Sequence, residues 1–183
     1  IKFVAAQLTT LDTVDGGTGS DTVQIITTAA TLADADFTGL SNIEALTFVV
    51  ASSDTDLGAQ YSESGSSTIT LGALTNDLNL DNVTTAQTLN LVAGTDTIDA
   101  SSMTAALTVK FAVSDDLNSS EDTITAGTST SDVLQLTYSG AAAALDGVSG
   151  FETIKGGTDA AQTITTVDAN VASTKSLTID MTA

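Results

Sequence analysis

The stretch TITLGALTNDLNLDNVTTAQTLNLVAGTDTIDASSMTAALTV, Thr68 to Val109, decides the fold. Apolar residues alternate there with Thr, Asn or Asp in short bursts. They are Thr68-Ile69-Thr70-Leu71, Asp77-Leu78-Asn79-Leu80, Thr88-Leu89-Asn90-Leu91, Asp96-Thr97-Ile98-Asp99 and Leu107-Thr108-Val109. Period-2 alternation reads as half-buried strand, because successive side chains of a strand point to opposite faces. The burst centres recur every nine to eleven residues. Strands so short and regular suit a solenoid, in which each coil lays its strand on the one below. Meandering hairpins would call for Asn-Gly turns, and the chain has none. The pattern resumes at Asp122–Thr125, Val133–Leu136, Thr163–Thr165 and Leu177–Ile179. It predicts an all-β chain, residues 1–183 forming one parallel β-solenoid, with a β-sandwich as the alternative.

The run GGTGSDTVQ, Gly16 to Gln24, fits the nonapeptide G-G-x-G-x-D-x-U-x, the calcium-binding repeat of parallel β-rolls. Gly16, Gly17 and Gly19 allow positive φ and aim carbonyl oxygens inward. Asp21 adds a hard anionic oxygen of the kind calcium prefers, and Val23 starts a strand. Asp12 lies nine residues before Asp21, and Asp12-Thr13-Val14 echoes Asp21-Thr22-Val23, so Asp12 is expected at the same position one turn earlier. Stacked carboxylates about 4.8 Å apart repel by roughly 3 kcal/mol at an effective dielectric near 20. A calcium ion between them would remove that cost. Asp15 is a plausible further ligand. Gly94-Thr95-Asp96-Thr97-Ile98-Asp99 keeps the G-x-D-x-U core and nominates Asp96 and Asp99. The candidate calcium set is therefore Asp12, Asp15, Gly17, Gly19, Asp21, Asp96 and Asp99. For Asp96, Asp122 and Asp132 a glycine turn with an ordinary Asp is the simpler reading.

A longer repeat overlies the short one. Leu40-Ser41-Asn42-Ile43-Glu44-Ala45-Leu46 matches Val148-Ser149-Gly150-Phe151-Glu152-Thr153-Ile154, and residues 12–25 parallel 122–136 with one insertion. The solenoid thus divides into two long imperfect units, about 1–110 and 111–183. Thr31–Phe37 and Ala141–Leu145 are each expected to form a single helical turn, the first capped through Thr31 and Asp34. Glu44 and Glu152 fall at equivalent strand positions and suit a repeated structural role, such as hydrogen-bonding a turn.

Four Lys and no Arg stand against 23 Asp and Glu, giving a net charge of −19. Such a chain cannot neutralise phosphates, which excludes nucleic acid. With 42% apolar residues it is also no disordered acidic tail. It lacks Cys, His, Pro and Trp. Without His or Cys the common nucleophile–base pairs are missing, so no enzymatic role is expected. The absence of cysteine agrees with an extracellular setting, where calcium is plentiful. No run of 18 apolar residues is present, so no transmembrane segment is expected. The start IKFVAAQLTTL is too polar for a signal peptide and suggests a processed chain or a segment of a longer one.

Three further features have plainer readings. Asp34-Ala35-Asp36-Phe37-Thr38-Gly39 opens like an EF-hand loop, but the bidentate Glu should fall at Ala45 and Glu44 comes one place early. A capped turn with exposed acids fits better. Tyr61 is the one loop aromatic placed to stack on a sugar. Asp115-Asp116 and Glu121-Asp122 flank a stretch, 117–120, expected as a projecting loop.

The nonapeptide, the S-x-[IF]-E strand and the Leu-Asn-Leu and Asp-Thr-Ile-Asp strands together resemble the β-solenoid domains of bacterial surface-layer and RTX-type exported proteins. The resemblance implies export by a type I system, folding on meeting calcium, and location outside the cell at the bacterial surface. It implies a calcium-stabilised structural protein that self-assembles into a surface layer, sheath or filament, with cell-surface polysaccharide as a possible calcium-mediated partner. The alternative is a spacer or ligand-binding domain of a large secreted adhesin. Tandem nonapeptides are missing after Gln24, so a long calcium-filled roll is not expected.

Overall fold

In a computed structural model, the described residues are 1–27, 31–51, 54–111, 122–137, 142–157, 163–170 and 176–181. Nearly every burst of alternating sequence becomes a strand, and the strands stack by repeated passes of the chain. One sheet has nine strands in the order β1 (Lys2–Phe3), β3 (Thr22–Ile25), β5 (Ala45–Phe48), β7 (Thr68–Thr70), β9 (Gln87–Leu91), β11 (Leu107–Phe111), β13 (Val133–Leu136), β16 (Thr153–Lys155) and β18 (Thr178–Asp180). A second sheet has five, in the order β15 (Val148–Ser149), β12 (Thr123–Thr125), β10 (Asp96–Asp99), β8 (Asn76–Asn79) and β6 (Thr55–Asp56). Two short pairs complete the ladders: β2 (Val14–Asp15) with β4 (Leu40–Ser41), and β14 (Ala142–Ala144) with β17 (Thr163–Thr165). Every pairing is parallel, which is a β-solenoid and not a sandwich.

Register sets the length of a coil. Thr70 pairs with Asn90, a step of 20 residues, and Lys110 pairs with Gln135, a step of 25. The nine-to-eleven-residue spacing of the bursts is therefore half a coil: it carries the chain from one sheet to the other. Alternate positions fill the space between. Val23, Leu46, Ile69, Leu89, Val109, Leu134 and Ile154 form one buried column from the nine-stranded sheet. Ile25, Phe48, Leu91, Phe111 and Leu136 belong to a second, and Leu78, Ile98, Ile124 and Val148 face them from the five-stranded sheet. Each such side chain contributes about 1.5–3 kcal/mol by leaving water. β-Branched and leucyl chains stack well on a pleated surface, which is why these short strands hold.

Where coils approach most closely, only glycine fits. A Cβ on Gly39 would lie 1.9 Å from the Asp12 carbonyl oxygen, and one on Gly16 would lie 2.0 Å from that of Asn42. Gly17 and Gly19, by contrast, are required for their φ of 82° and 131°.

Three local expectations change. The helical turn expected over Thr31–Phe37 is present as a shorter 3-10 turn, Asp34–Phe37, with Ala33 and not Thr31 at its N-cap, while residues 142–144 of the second expected turn are strand β14 (residue 141 lies outside the described residues). Pairing with β17 outweighs the alanines' helical preference. A short helix, α1 (Ala59–Glu63), stands where a loop was expected. Tyr61 on it is fully buried, its ring meeting Phe37 edge-on at 5.4 Å, so it offers no surface to a sugar. The stretch 117–120 falls outside the described residues.

Candidate functional site

The turn from Thr9 to Asp21 holds most of the predicted calcium residues, and β2 runs through its middle. Asp12 Oδ2 accepts from the Thr9 backbone N–H (2.8 Å) and from the Thr9 hydroxyl (3.1 Å), closing its own turn. Asp15 Oδ1 accepts from Asn42 Nδ2 (2.7 Å) on the next coil and from the Gly17 N–H (3.0 Å). The Asn42 amide, then the Gly17 N–H, hold the Asp15 carboxyl below the usual carboxylate range. Asp21 folds back over the glycine loop, and its carboxylate lies against Gly16.

Asp12 and Asp21 do not stack. With coils of 20 residues or more, a nine-residue step cannot return the chain to the same face. Asp12 precedes β2 and abuts Gly39, whereas Asp21 precedes β3 on the nine-stranded sheet. The repulsion expected between them on a stacking distance therefore does not arise. Asp96 and Asp99 likewise point to opposite sides of β10: Asp96 is buried and Asp99 is exposed. Asp99 Oδ1 accepts from the Ser101 N–H (2.9 Å), an ordinary Asx turn. The structure thus groups Asp15, Gly17, Gly19 and Asp21 on one loop and leaves Asp12, Asp96 and Asp99 in separate places. Among the described residues, no three carboxylates converge on one point.

What the acids do instead is join coils. At one register position, just before or at the first residue of the seven strands from β3 to β16, stand Asp21, Glu44, Ser67, Gln87, Leu107, Asp132 and Glu152. Glu44 Oε2 accepts from the Asp21 N–H (2.6 Å), and Glu152 Oε2 accepts from the Asp132 N–H (2.9 Å). Asp132 Oδ1 in turn accepts from the Leu107 N–H (2.8 Å). Each carboxylate thus reaches from one coil to an amide of the coil before it. Charged acceptors make such bonds about twice as strong as neutral ones. The two copies of the S-x-[IF]-E pattern take the same partners, which gives the paired glutamates their structural role.

The five-stranded sheet repeats the device inside the core. The Asp96 N–H donates to Asp122 Oδ1 (2.8 Å), and Asn76 Nδ2 donates to Asp96 Oδ1 (2.7 Å). Asp34, read from the sequence as part of a capped turn, accepts from the N–H groups of Gly58 (2.8 Å), Tyr61 (2.9 Å) and Gln60 (3.1 Å). It is the cap of α1, supplied from the preceding coil. The sequence points to Glu44 and Glu152 as turn-bonding residues, but it gives Asp122 and Asp132 no partner and misses Asn76, since their partners lie 20 or more residues away. The one available signal was their place immediately before, or at the first residue of, a strand burst.

No protein-family model matches this chain, and no curated protein or solved structure matches it.

Proposed function

We propose that this chain is an extracellular structural protein: a calcium-stabilised β-solenoid subunit that self-assembles into a surface layer, sheath or filament at the bacterial surface. The observation that carries the reading is the inter-coil use of carboxylates on a filled, parallel core. The same rule, an acid on one coil bonding an amide of the one before, joins three pairs of successive coils in the nine-stranded sheet, in a chain whose net charge of −19 has still to be offset. That architecture supplies extent and rigidity, and its interior is occupied by side chains and not by substrate. The role is mechanical, not catalytic.

Calcium enters at the Gly16–Asp21 loop. Asp15 and Asp21 supply the carboxylates there, and the turn around Gly17 and Gly19 supplies carbonyl oxygens, the ligand types calcium selects. The ion would also screen acidic surfaces that meet in an assembly. Thermal melting by circular dichroism, with millimolar calcium and with excess chelator, tests this alongside light scattering. A calcium-dependent rise in melting temperature with growing particles is expected. Stabilisation without growth would mark a spacer or ligand-binding domain of a large secreted adhesin. A melt indifferent to chelator would remove calcium from the account.

A further inference from the structure

The charge of this molecule is segregated by face. Two rows of side chains point outward from the nine-stranded sheet. One runs Thr22, Ala45, Thr68, Thr88, Thr108, Val133, Thr153, Thr178. The other runs Lys2, Gln24, Thr47, Thr70, Asn90, Lys110, Gln135, Lys155, Asp180. In a chain with 23 acids, these rows hold one, Asp180, on the last strand; they also hold three of the four lysines. The acids beside the face turn away from it: Glu44, Asp132 and Glu152 are engaged by backbone amides. Ile26 and Val49, at the next outward position after β3 and β5, are 38% and 53% exposed and add an apolar margin.

The five-stranded sheet is the opposite. Its outward rows are Asp56, Asn79, Asp99, Thr125, Ser149 and, beside it, Asp77, Thr97, Thr123. They contain three acids and no lysine. The two faces also match in spacing. Lys110, Gln135 and Lys155 occupy three successive coils, as do Asp56, Asn79 and Asp99. Both sheets have the same strand spacing, so each pair of like charges is about 9.6 Å apart with an amide between.

From this match we infer that the outer face of the nine-stranded sheet is a contact surface for a second copy of this chain, docked through its acidic five-stranded face. The inference rests on the self-assembly reading and names the surface that performs it. Two copies standing the same way up, staggered by about two coils, set Lys110 against Asp56 and Lys155 against Asp99, with Gln135 opposite Asn79. The contact is heterologous, so a docked pair still has one free face of each kind for further copies. At this stagger four strands of the five-stranded sheet meet β11, β13, β16 and β18, and four strands about 4.8 Å apart and four residues wide give a contact of roughly 250 Å² per partner. Both sides together bury about 500 Å², below the size of a stable specific interface. A single contact is therefore weak and salt-sensitive, and becomes persistent only when repeated across an array.

The test is sedimentation velocity over a concentration series at low salt, in calcium and in chelator. It compares the wild type, Lys110→Glu with Lys155→Glu, and Asp56→Lys with Asp99→Lys, each checked for folding by circular dichroism. Among the described residues Lys110 and Lys155 make no side-chain bond, so that variant keeps its fold even if the Asp99 turn suffers. The wild type should associate, and either double variant alone should associate about tenfold or more weakly. An equimolar mixture of the two should recover wild-type association, because one retains the acidic face and the other the lysine face. If the lysine variant associates like the wild type, or the mixture fails to recover, the contact lies elsewhere and the self-assembly reading survives without it. A wild type monomeric under all conditions would overturn both. Binding of polygalacturonate by a monomeric wild type, lost in the lysine variant, would overturn the inference in favour of an anionic glycan.

Discussion

Asp34 shows how a single side chain in this chain works across coils. Its two oxygens take three amides at the start of α1, on the following coil. Asp34→Ala should lower the unfolding free energy by about 2 kcal/mol, the upper range for loss of a helix cap, read as a shift in urea midpoint at constant slope. Asp34→Asn should cost less, since it keeps one acceptor oxygen. Tyr61, packed on the same turn, has its phenol pushed up by burial. A raised folded value means the contribution is intact below the ordinary phenol range near 10 and is lost as pH climbs above it. Urea midpoints from pH 8 to 11 should therefore fall more steeply in the wild type than in Tyr61→Phe. Neither role was readable beforehand: the sequence puts Asp34 in a capped turn of its own with exposed acids, and Tyr61 sits among polar residues that look exposed. Only the neighbouring coil reveals the partner.

At the scale of elements, coil contact depends on glycine and on paired acids. Gly39→Ala should destabilise the protein by about 3 kcal/mol or more, because its Cβ would collide with the Asp12 carbonyl and neither backbone is free to yield. Gly17→Ala meets open space, so its cost is limited to about 1–2 kcal/mol for a positive φ. Comparing the two midpoints separates close approach from backbone strain. The strand positions were legible in the alternation, since period 2 needs only local residues. The length of a coil was not. A nine-residue echo fits a stack of nine-residue turns as well as half of a longer coil, and the pairing of Thr70 with Asn90 decides for the second.

For the whole molecule, the relevant quantity is a charge of −19 held on stacked coils. Self-repulsion of that size opposes compactness and is weakened by any electrolyte. Raising sodium chloride from 20 to 300 mM in chelator should raise the melting temperature by several degrees. Millimolar calcium at constant ionic strength should add a further rise that Asp21→Asn reduces, because the site on the Gly16–Asp21 loop loses a carboxylate.

By itself the sequence determined that this chain is all-β with short strands, favoured a parallel solenoid over a sandwich, and placed its acids at the turns. Those follow from local alternation, from the lack of hairpin turns, and from composition. Tertiary structure alone decided that Asp12 and Asp21 lie on different faces, that Glu44, Asp132 and Glu152 bond amides of the preceding coil, and that one face is nearly free of acid. The physical reason is register: residues that touch in a solenoid are separated by a full coil of 20 to 25 residues, and small changes in coil length move every partner.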